Sequence, residues 1–173
     1  PSVRILDIGT GSGCIAVSLA SFLPGAQVTG LDVSQSALQV AADNAALNRV
    51  SVSWISQDVL SSDVDSCLGQ YDCIVSNPPY IMEHEQQEMD AGVLNYEPHR
   101  ALFVPDTDPL LFYRRIVQLA KRHLTAEGWL YFEINEQCGD AMRELLNRER
   151  FSQTEIIKDY FGKDRMLKAQ LVL

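Results

Sequence analysis

The chain has 173 residues, 46% of them hydrophobic, with 14 Lys and Arg against 23 Asp and Glu for a formal net charge of −9. This length accommodates one α/β domain with a substantial core and not two of ordinary size. The acidic balance repels phosphate backbones and makes nucleic acid a poor partner for this segment. No apolar run approaches the roughly 18 residues needed to span a bilayer, and none of these 173 residues reads as a signal peptide. The four cysteines, Cys14, Cys67, Cys73 and Cys138, form no C-x-x-C pair and lie in or beside apolar runs. They read as buried free thiols of a reducing, cytoplasmic compartment. Pro1 stands first and a strand-like run begins almost at once, so the sequence is expected to be a piece of a longer protein.

Strand-like and helix-like runs alternate from the start, the pattern of a parallel sheet built from βαβ units. "RILDIG" reads as the first strand, and Ile15, Leu19, Phe22 and Leu23 recur at helical spacing as the buried stripe of a helix that Pro24-Gly25 stops. "QVTGLDV" is a second strand. Ser34 is placed to cap a second helix that buries Ala37, Leu38, Ala41 and Ala45, and "VSVSWISQD" is a third strand. Val59 to Gly69 is weakly patterned, a short helix or a loop, before the fourth strand "YDCIVSN". Residues 81–109 carry no sustained period, and a loop of that length in a compact domain is expected to be functional. Asp108 and Pro109 form an N-cap and first-turn pair for a helix whose stripe is Tyr113, Ile116, Val117, Ala120 and Leu124, with Gly128 as its end. "WLYFEIN" is the fifth strand, and Met142, Leu145 and Leu146 mark one more helix. The closing runs "QTEIIKDY" and "MLKAQLVL" are too close for a crossover helix, so they pair antiparallel or lie apart.

"LDIGTGSGC" sets Gly9, Gly11 and Gly13 between the first strand and the first helix, where a ligand can approach bare backbone at a helix N-terminus. A dinucleotide fingerprint needs glycine at position 14, which is Cys14. G-x-G-x-G preceded by Asp7 resembles a methyltransferase loop instead. Asp32 ends the second strand, beside the crevice of the first, where a carboxylate can accept from both hydroxyls of a ribose; helix capping is its other use. Asp58 ends the third strand, able to accept from an adenine amine while Val59 offers an apolar edge; a solvated strand-end carboxylate is the alternative.

"SNPPY" follows the fourth strand. Two prolines remove backbone N–H groups and hold the preceding residue extended, so Asn77 is presented from a rigid exit. An amide or aryl-amine nitrogen is a weak nucleophile because its lone pair is delocalised. Acceptors for its two N–H groups favour a pyramidal nitrogen and aim the lone pair at a methyl donor. The side-chain oxygen of Asn77 and the carbonyl of Pro78 supply such acceptors, and Tyr80 can cover the flat face of the substrate. No proton need leave before transfer, so orientation carries most of the rate.

"LDIGTGSGCIAVSLA", "GLDVS", "VSNPPYI", "NYEPHRAL", "YFEINEQ" and "KDYFGKDR" together resemble the HemK/PrmC family of protein-glutamine methyltransferases that modify peptide chain release factors, over essentially the whole chain. The resemblance implies a class I S-adenosylmethionine-dependent methyltransferase fold: a seven-stranded, mostly parallel sheet closed by an antiparallel hairpin. It implies a cofactor set of Asp7, Gly9, Thr10, Gly11, Ser12, Gly13, Asp32, Asp58, Val59 and Asn77, and a substrate set of Asn77, Pro78, Pro79 and Tyr80, of which Asn77, Pro78 and Tyr80 are catalytic. It also implies that S-adenosylhomocysteine is the product, that the GGQ glutamine of a release factor is the target, and that Tyr96-Glu97-Pro98 lies near the substrate, with a simple turn as the alternative for that tripeptide. Residues 1–173 then form the catalytic domain, without the family's helical N-terminal substrate-recognition domain. Phe103-Val104-Pro105 stands where many members have a glycine pair. An amino-group methyltransferase of RNA or DNA shares N-P-P-Y and is the alternative; a non-catalytic cofactor-binding module is another. "HEQQE" resembles the zinc motif H-E-x-x-H but carries Glu88 where the second histidine must stand. His99 and His123 read as surface residues.

Overall fold

The computed structural model describes residues 2–88 and 102–172. In chain order it places β1 (Arg4–Ile8), α1 (Cys14–Phe22), β2 (Gln27–Asp32), α2 (Gln35–Leu47), β3 (Ser53–Ser56) and β4 (Tyr71–Ser76). The short pair β5 (Ile81–Met82) and β6 (Phe103–Val104) follows, then α3 (Leu111–His123), β7 (Leu124–Glu133), α4 (Gly139–Arg148), β8 (Phe151–Lys158) and β9 (Asp164–Leu171). Seven strands form one sheet in the order β3-β2-β1-β4-β7-β9-β8. β3, β2, β1, β4 and β7 are parallel, and β9 pairs antiparallel with both β7 and β8. The expected architecture, including the closing hairpin, is present.

The chain winds outward from β1 to β3, then returns to pair β4 on the other side of β1. That reversal opens a crevice at the C-terminal ends of β1 and β4, the usual ligand position in open α/β sheets. Register places Ile8 opposite both Leu31 and Ser76, and the Ser76 hydroxyl donates to the Ile8 carbonyl at 2.7 Å. The glycine loop after Ile8 and the Asn77 segment after Ser76 therefore leave the sheet side by side.

The core lies mainly under α3 and α4, where Leu6, Ile74, Tyr113, Ile116, Val117, Leu130, Phe132, Met142 and Leu146 are buried together. Each such side chain contributes about 1.5–3 kcal/mol of burial. The Tyr113 and Phe132 rings meet edge to face at 5.2 Å, joining α3 to the centre of the sheet. Ser34 caps α2 as expected, its hydroxyl accepting from Ala37 N.

Several expectations need correction. The buried residues of α1 are Ala16 and Val17, while Phe22 is 81% exposed. Small residues let the helix approach Ile5 and Val28, and the larger ones flank the contact or point outward. α3 begins at Leu111 without a side-chain cap, because the Asp108 carboxylate pairs with Arg114 instead. α3 ends at His123, and Gly128 lies inside β7. Among the described residues of the 81–109 stretch, β5 pairs with β6. Cys14 and Cys67 are exposed.

His123 is buried, not on the surface: its Nδ1 lies 2.9 Å from the Gly69 carbonyl and its Nε2 3.0 Å from Asp65 Oδ1. Helical spacing from Ile116 and Ala120 puts it on the buried face of α3, a signal that was available in the sequence. Arg122 donates to Asp65 at 2.6 Å and Arg115 at 3.3 Å. The bond from Arg122, followed by those from His123 and Arg115, holds the Asp65 carboxyl well below the usual carboxylate range. A depressed folded-state pKa contributes stability that is complete above about pH 4 and is lost as pH falls through the lower folded value. We expect Asp65→Asn to lower the thermal midpoint by about 2–4 °C at pH 7. The gap to wild type should shrink below about pH 4 in a denaturation series.

Candidate functional site

Four backbone donors of the glycine loop are taken up inside the protein. Gly9 N and Thr10 N donate to the Leu31 carbonyl at 2.8 and 3.0 Å, and Gly13 N donates to the Thr10 carbonyl at 2.9 Å. Gly11 N donates to Asp32 Oδ2 at 2.9 Å, and the other Asp32 oxygen accepts from Ser34 N. Asn44 on α2 fixes the Ser12 carbonyl at 2.9 Å. Gly13 has φ +80°, and a Cβ there would stand 2.9 Å from the Ala41 Cβ, so this glycine lets α1 meet α2. Gly11, at φ +55°, has nothing within 4 Å of its missing Cβ and opens toward the crevice.

Asp7 is fully buried beneath this loop. Its Oδ2 accepts from the Thr10 hydroxyl at 2.6 Å and from Ala16 N at 3.2 Å, while its Oδ1 has no partner. The bond from Ala16 fastens a carboxylate to the first turn of α1, where the helix dipole favours negative charge. Burial, more than the neighbouring Asp32 carboxylate, pushes Asp7 up to about 6, against the two hydrogen bonds.

Beyond β3, Gln57 N donates to the Asp32 carbonyl at 3.0 Å, which sets Asp58 and Val59 next to the end of β2. Asp58 Oδ1 accepts from Leu60 N at 2.8 Å. Val59 packs on the core, and its carbonyl accepts from Arg115 at 2.9 Å.

Asn77 is exposed and Pro78 buried, with Pro79 and Tyr80 partly covered. The Asn77 carbonyl lies 3.9 Å from the position a Cβ on Gly9 would take. The amide-bearing segment and the glycine loop thus share one edge of the crevice. The Tyr80 hydroxyl donates to Glu133 Oε1 at 2.7 Å, and its carbonyl accepts from Asn135 at 3.3 Å. Burial first, then Glu133, pushes the Tyr80 phenol up to about 12, so it stays protonated. Glu85 accepts from Met82 N at 2.8 Å, from Asn135 at 3.1 Å and from Gln137 at 3.2 Å. Glu85, Glu133 and Asn135 were given no individual role from the sequence. The signal for Glu133 and Asn135 was the alternation of Glu133, Asn135 and Gln137 at the end of β7, all three of which bond toward the Tyr80–Glu85 segment.

Tyr96-Glu97-Pro98 and His99 lie outside the described residues. His84 Nδ1 lies 2.8 Å from Asp106 Oδ1, and no group of three or more His, Cys, Asp or Glu is placed to hold a metal among the described residues. Among the described residues no helix is long and apolar enough to cross a membrane. A cavity of about 410 Å³ lined by Val3, Phe22, Leu23 and Ala26 sits at the opposite end of the sheet, away from these groups.

A folded-state pKa raised to about 6 means that the contribution of protonated Asp7 is complete below about pH 4 and is lost as pH rises through 6. Asp7→Asn does not titrate, so it should gain about 2–3 kcal/mol relative to wild type between pH 4 and pH 8. Thermal denaturation of both proteins across that range is the measurement. A constant difference would show that Asp7 carries no such strain.

The sequence is 50% identical over 167 residues to a release factor glutamine methyltransferase of Flavobacterium psychrophilum, covering 96% of this chain and 58% of that protein. It therefore spans little more than half the length of that relative. The fold is similar to a methyltransferase from Pyrococcus furiosus, with TM-score 0.72 and 20% identity over 99% of this chain and 76% of that one. It is also similar to a 16S rRNA methyltransferase of T. thermophilus solved with AdoMet and guanosine, with TM-score 0.65 and 18% identity over 98% of this chain and 37% of that one. These likenesses identify the class I methyltransferase fold. The family model "methyltransferase small domain" matches residues 1–96, more than half of the sequence, and the chain belongs to that family.

Proposed function

We propose that this domain transfers a methyl group from S-adenosylmethionine to the side-chain amide nitrogen of a protein glutamine, with the GGQ glutamine of a peptide chain release factor as substrate. The carrying observation is the state of the glycine loop: the N–H groups of Gly9, Thr10, Gly11 and Gly13 are committed inside the protein. A dinucleotide site uses such donors to cradle a pyrophosphate. Asp32 lies beside this loop and Asp7 is buried beneath it, and the field of the two carboxylates favours a cationic ligand over a phosphate. S-adenosylmethionine fits these residues and supplies, when bound, an electrophilic methyl on a sulfonium. Gly11 offers open backbone, Asp32 retains lone pairs for ribose hydroxyls, and Asp58 with Val59 offers an acceptor beside an apolar edge.

On the substrate side, Asn77 and the Pro78 carbonyl accept the two amide N–H groups. Tyr80 is neutral throughout the physiological range and covers the amide without competing as a base. The name borne by the Flavobacterium relative supports glutamine as the methyl acceptor. The part of that relative beyond the matched length supplies, in this reading, the docking surface for the release factor, while residues 1–173 carry the chemistry in the cytoplasm.

S-adenosylmethionine or S-adenosylhomocysteine should raise the thermal midpoint of the chain and NAD should not; stabilisation by NAD alone would sink the cofactor assignment. Labelled methyl donor offered with release factor, RNA and DNA in parallel should label the release factor. Label in nucleic acid alone would move the protein to the amino-group alternative. Asn77→Ala should lower single-turnover transfer about a hundredfold to a thousandfold, the loss of one transition-state hydrogen bond of about 3–4 kcal/mol, with a much smaller change in cofactor affinity. Asn77→Asp keeps an acceptor oxygen and should fall between Ala and wild type.

A further inference from the structure

Glu133 at the end of β7 and Asn135 just after it both bond to Tyr80, in the segment that follows Asn77. The Glu133 carboxylate accepts from the Tyr80 hydroxyl at 2.7 Å, while the Glu133 carbonyl accepts from the Tyr113 hydroxyl of α3 at 3.0 Å. Asn135 is 5% exposed and donates to the Tyr80 carbonyl and to Glu85. Arg165 on β9 also faces the Tyr80 hydroxyl and is held from behind by Asp159 at 3.4 Å. The Arg165 carbonyl accepts from Ile134 N at 2.8 Å, which locks the start of β9 to the end of β7.

A tyrosine offered to a planar substrate is expected to keep its hydroxyl in water and its ring free to turn. Here both ends of Tyr80 are fastened to the core-anchored end of β7. Resting on the proposed function, we infer that Glu133 is a positioning residue for methyl transfer: by holding the Tyr80 hydroxyl it fixes the ring plane against which the substrate amide is oriented. The competing account is that Glu133 balances the charge of Arg165 and has no bearing on Tyr80. The two differ in what they need. Holding a hydroxyl needs only an acceptor oxygen, which glutamine retains; balancing a guanidinium needs a charge, which glutamine lacks.

The experiment is a double-mutant cycle read by single-turnover methyl transfer and cofactor affinity. Glu133→Ala should lower the rate about tenfold with cofactor affinity within about twofold, and Glu133→Gln should remain within about threefold of wild type. In a Tyr80→Phe background, where the hydroxyl is gone, Glu133→Ala should cost less than about twofold further. Independent, additive losses, or a Gln variant as slow as Ala, would overturn the role. NMR of chain labelled with 3-fluorotyrosine reads the same clamp without substrate. The Tyr80 resonance, assigned by its absence in Tyr80→Phe, should shift or broaden in Glu133→Ala and stay near its wild-type position in Glu133→Gln. An unchanged Tyr80 signal in Glu133→Ala rejects the clamp even if wild type transfers no methyl to a release factor. A perturbed signal beside an inactive wild type rejects the substrate instead.

Discussion

Asp7 is enclosed where β1 ends, and the turn above it is arranged around that carboxylate. A buried acceptor left without a partner costs about 1–3 kcal/mol, and Asp7 Oδ1 is such an atom. The cost is tolerated because the other oxygen organises so much: it holds the Thr10 side chain and the first turn of α1 at once. With Asp7 below and Asp32 beside it, the loop closes on itself and turns its donors inward. In the proposed reading, a turn whose Gly9, Thr10, Gly11 and Gly13 N–H groups are taken up inside the protein disfavours a phosphate, and the two carboxylates suit a cation.

The second constraint is topological. Because β4 inserts beside β1 and not beside β3, the glycine loop and the Asn77 segment, to which the proposed function assigns cofactor and substrate, emerge as neighbours. Ser76 reinforces this by bonding back to Ile8, so the spacing between loop and amide segment is set by a buried hydrogen bond as well as by the ladder. On the other side of β4, β7 and the antiparallel β9 bring Glu133, Asn135 and Arg165 to the same edge. The hairpin that distinguishes this sheet from a dinucleotide-binding one thus contributes Arg165 to the surroundings of Tyr80.

What the sequence made legible, and what it hid, follow from the range of the interactions involved. Alternating strands and helices, the Ser34 cap and the closing hairpin depend on local pattern, and these were read correctly. Failures came where a partner distant in sequence decides the outcome. Asp108 looks like a cap until Arg114 takes its carboxylate. Phe22 looks like core until the close approach of Ala16 to the sheet leaves it outside. His123 looks like surface until Asp65 and Gly69 enclose it, although its helical phase was visible. Asn77 and Tyr80 were singled out from one pentapeptide, and the structure sets that segment beside the glycine loop. The fastening of Tyr80 was not legible, because Glu133 lies 53 residues away and only the sheet brings them together.

In the proposed reaction an amide nitrogen loses its proton after the methyl arrives, so a base poised near neutrality would add little to the transfer step. Tyr80 is pushed far above neutrality, and the Cys73 thiol on the adjoining strand is raised to about 12, chiefly by burial. In the proposed reading, what remains on the substrate side is a set of neutral acceptors on a proline-stiffened exit and a phenol pinned at its hydroxyl and its carbonyl. A site of that kind would act by holding a weak nucleophile in one orientation. Its rigidity has to be supplied by the sheet edge, which is where the hydrogen bonds from Asn135 and to Glu133 are found.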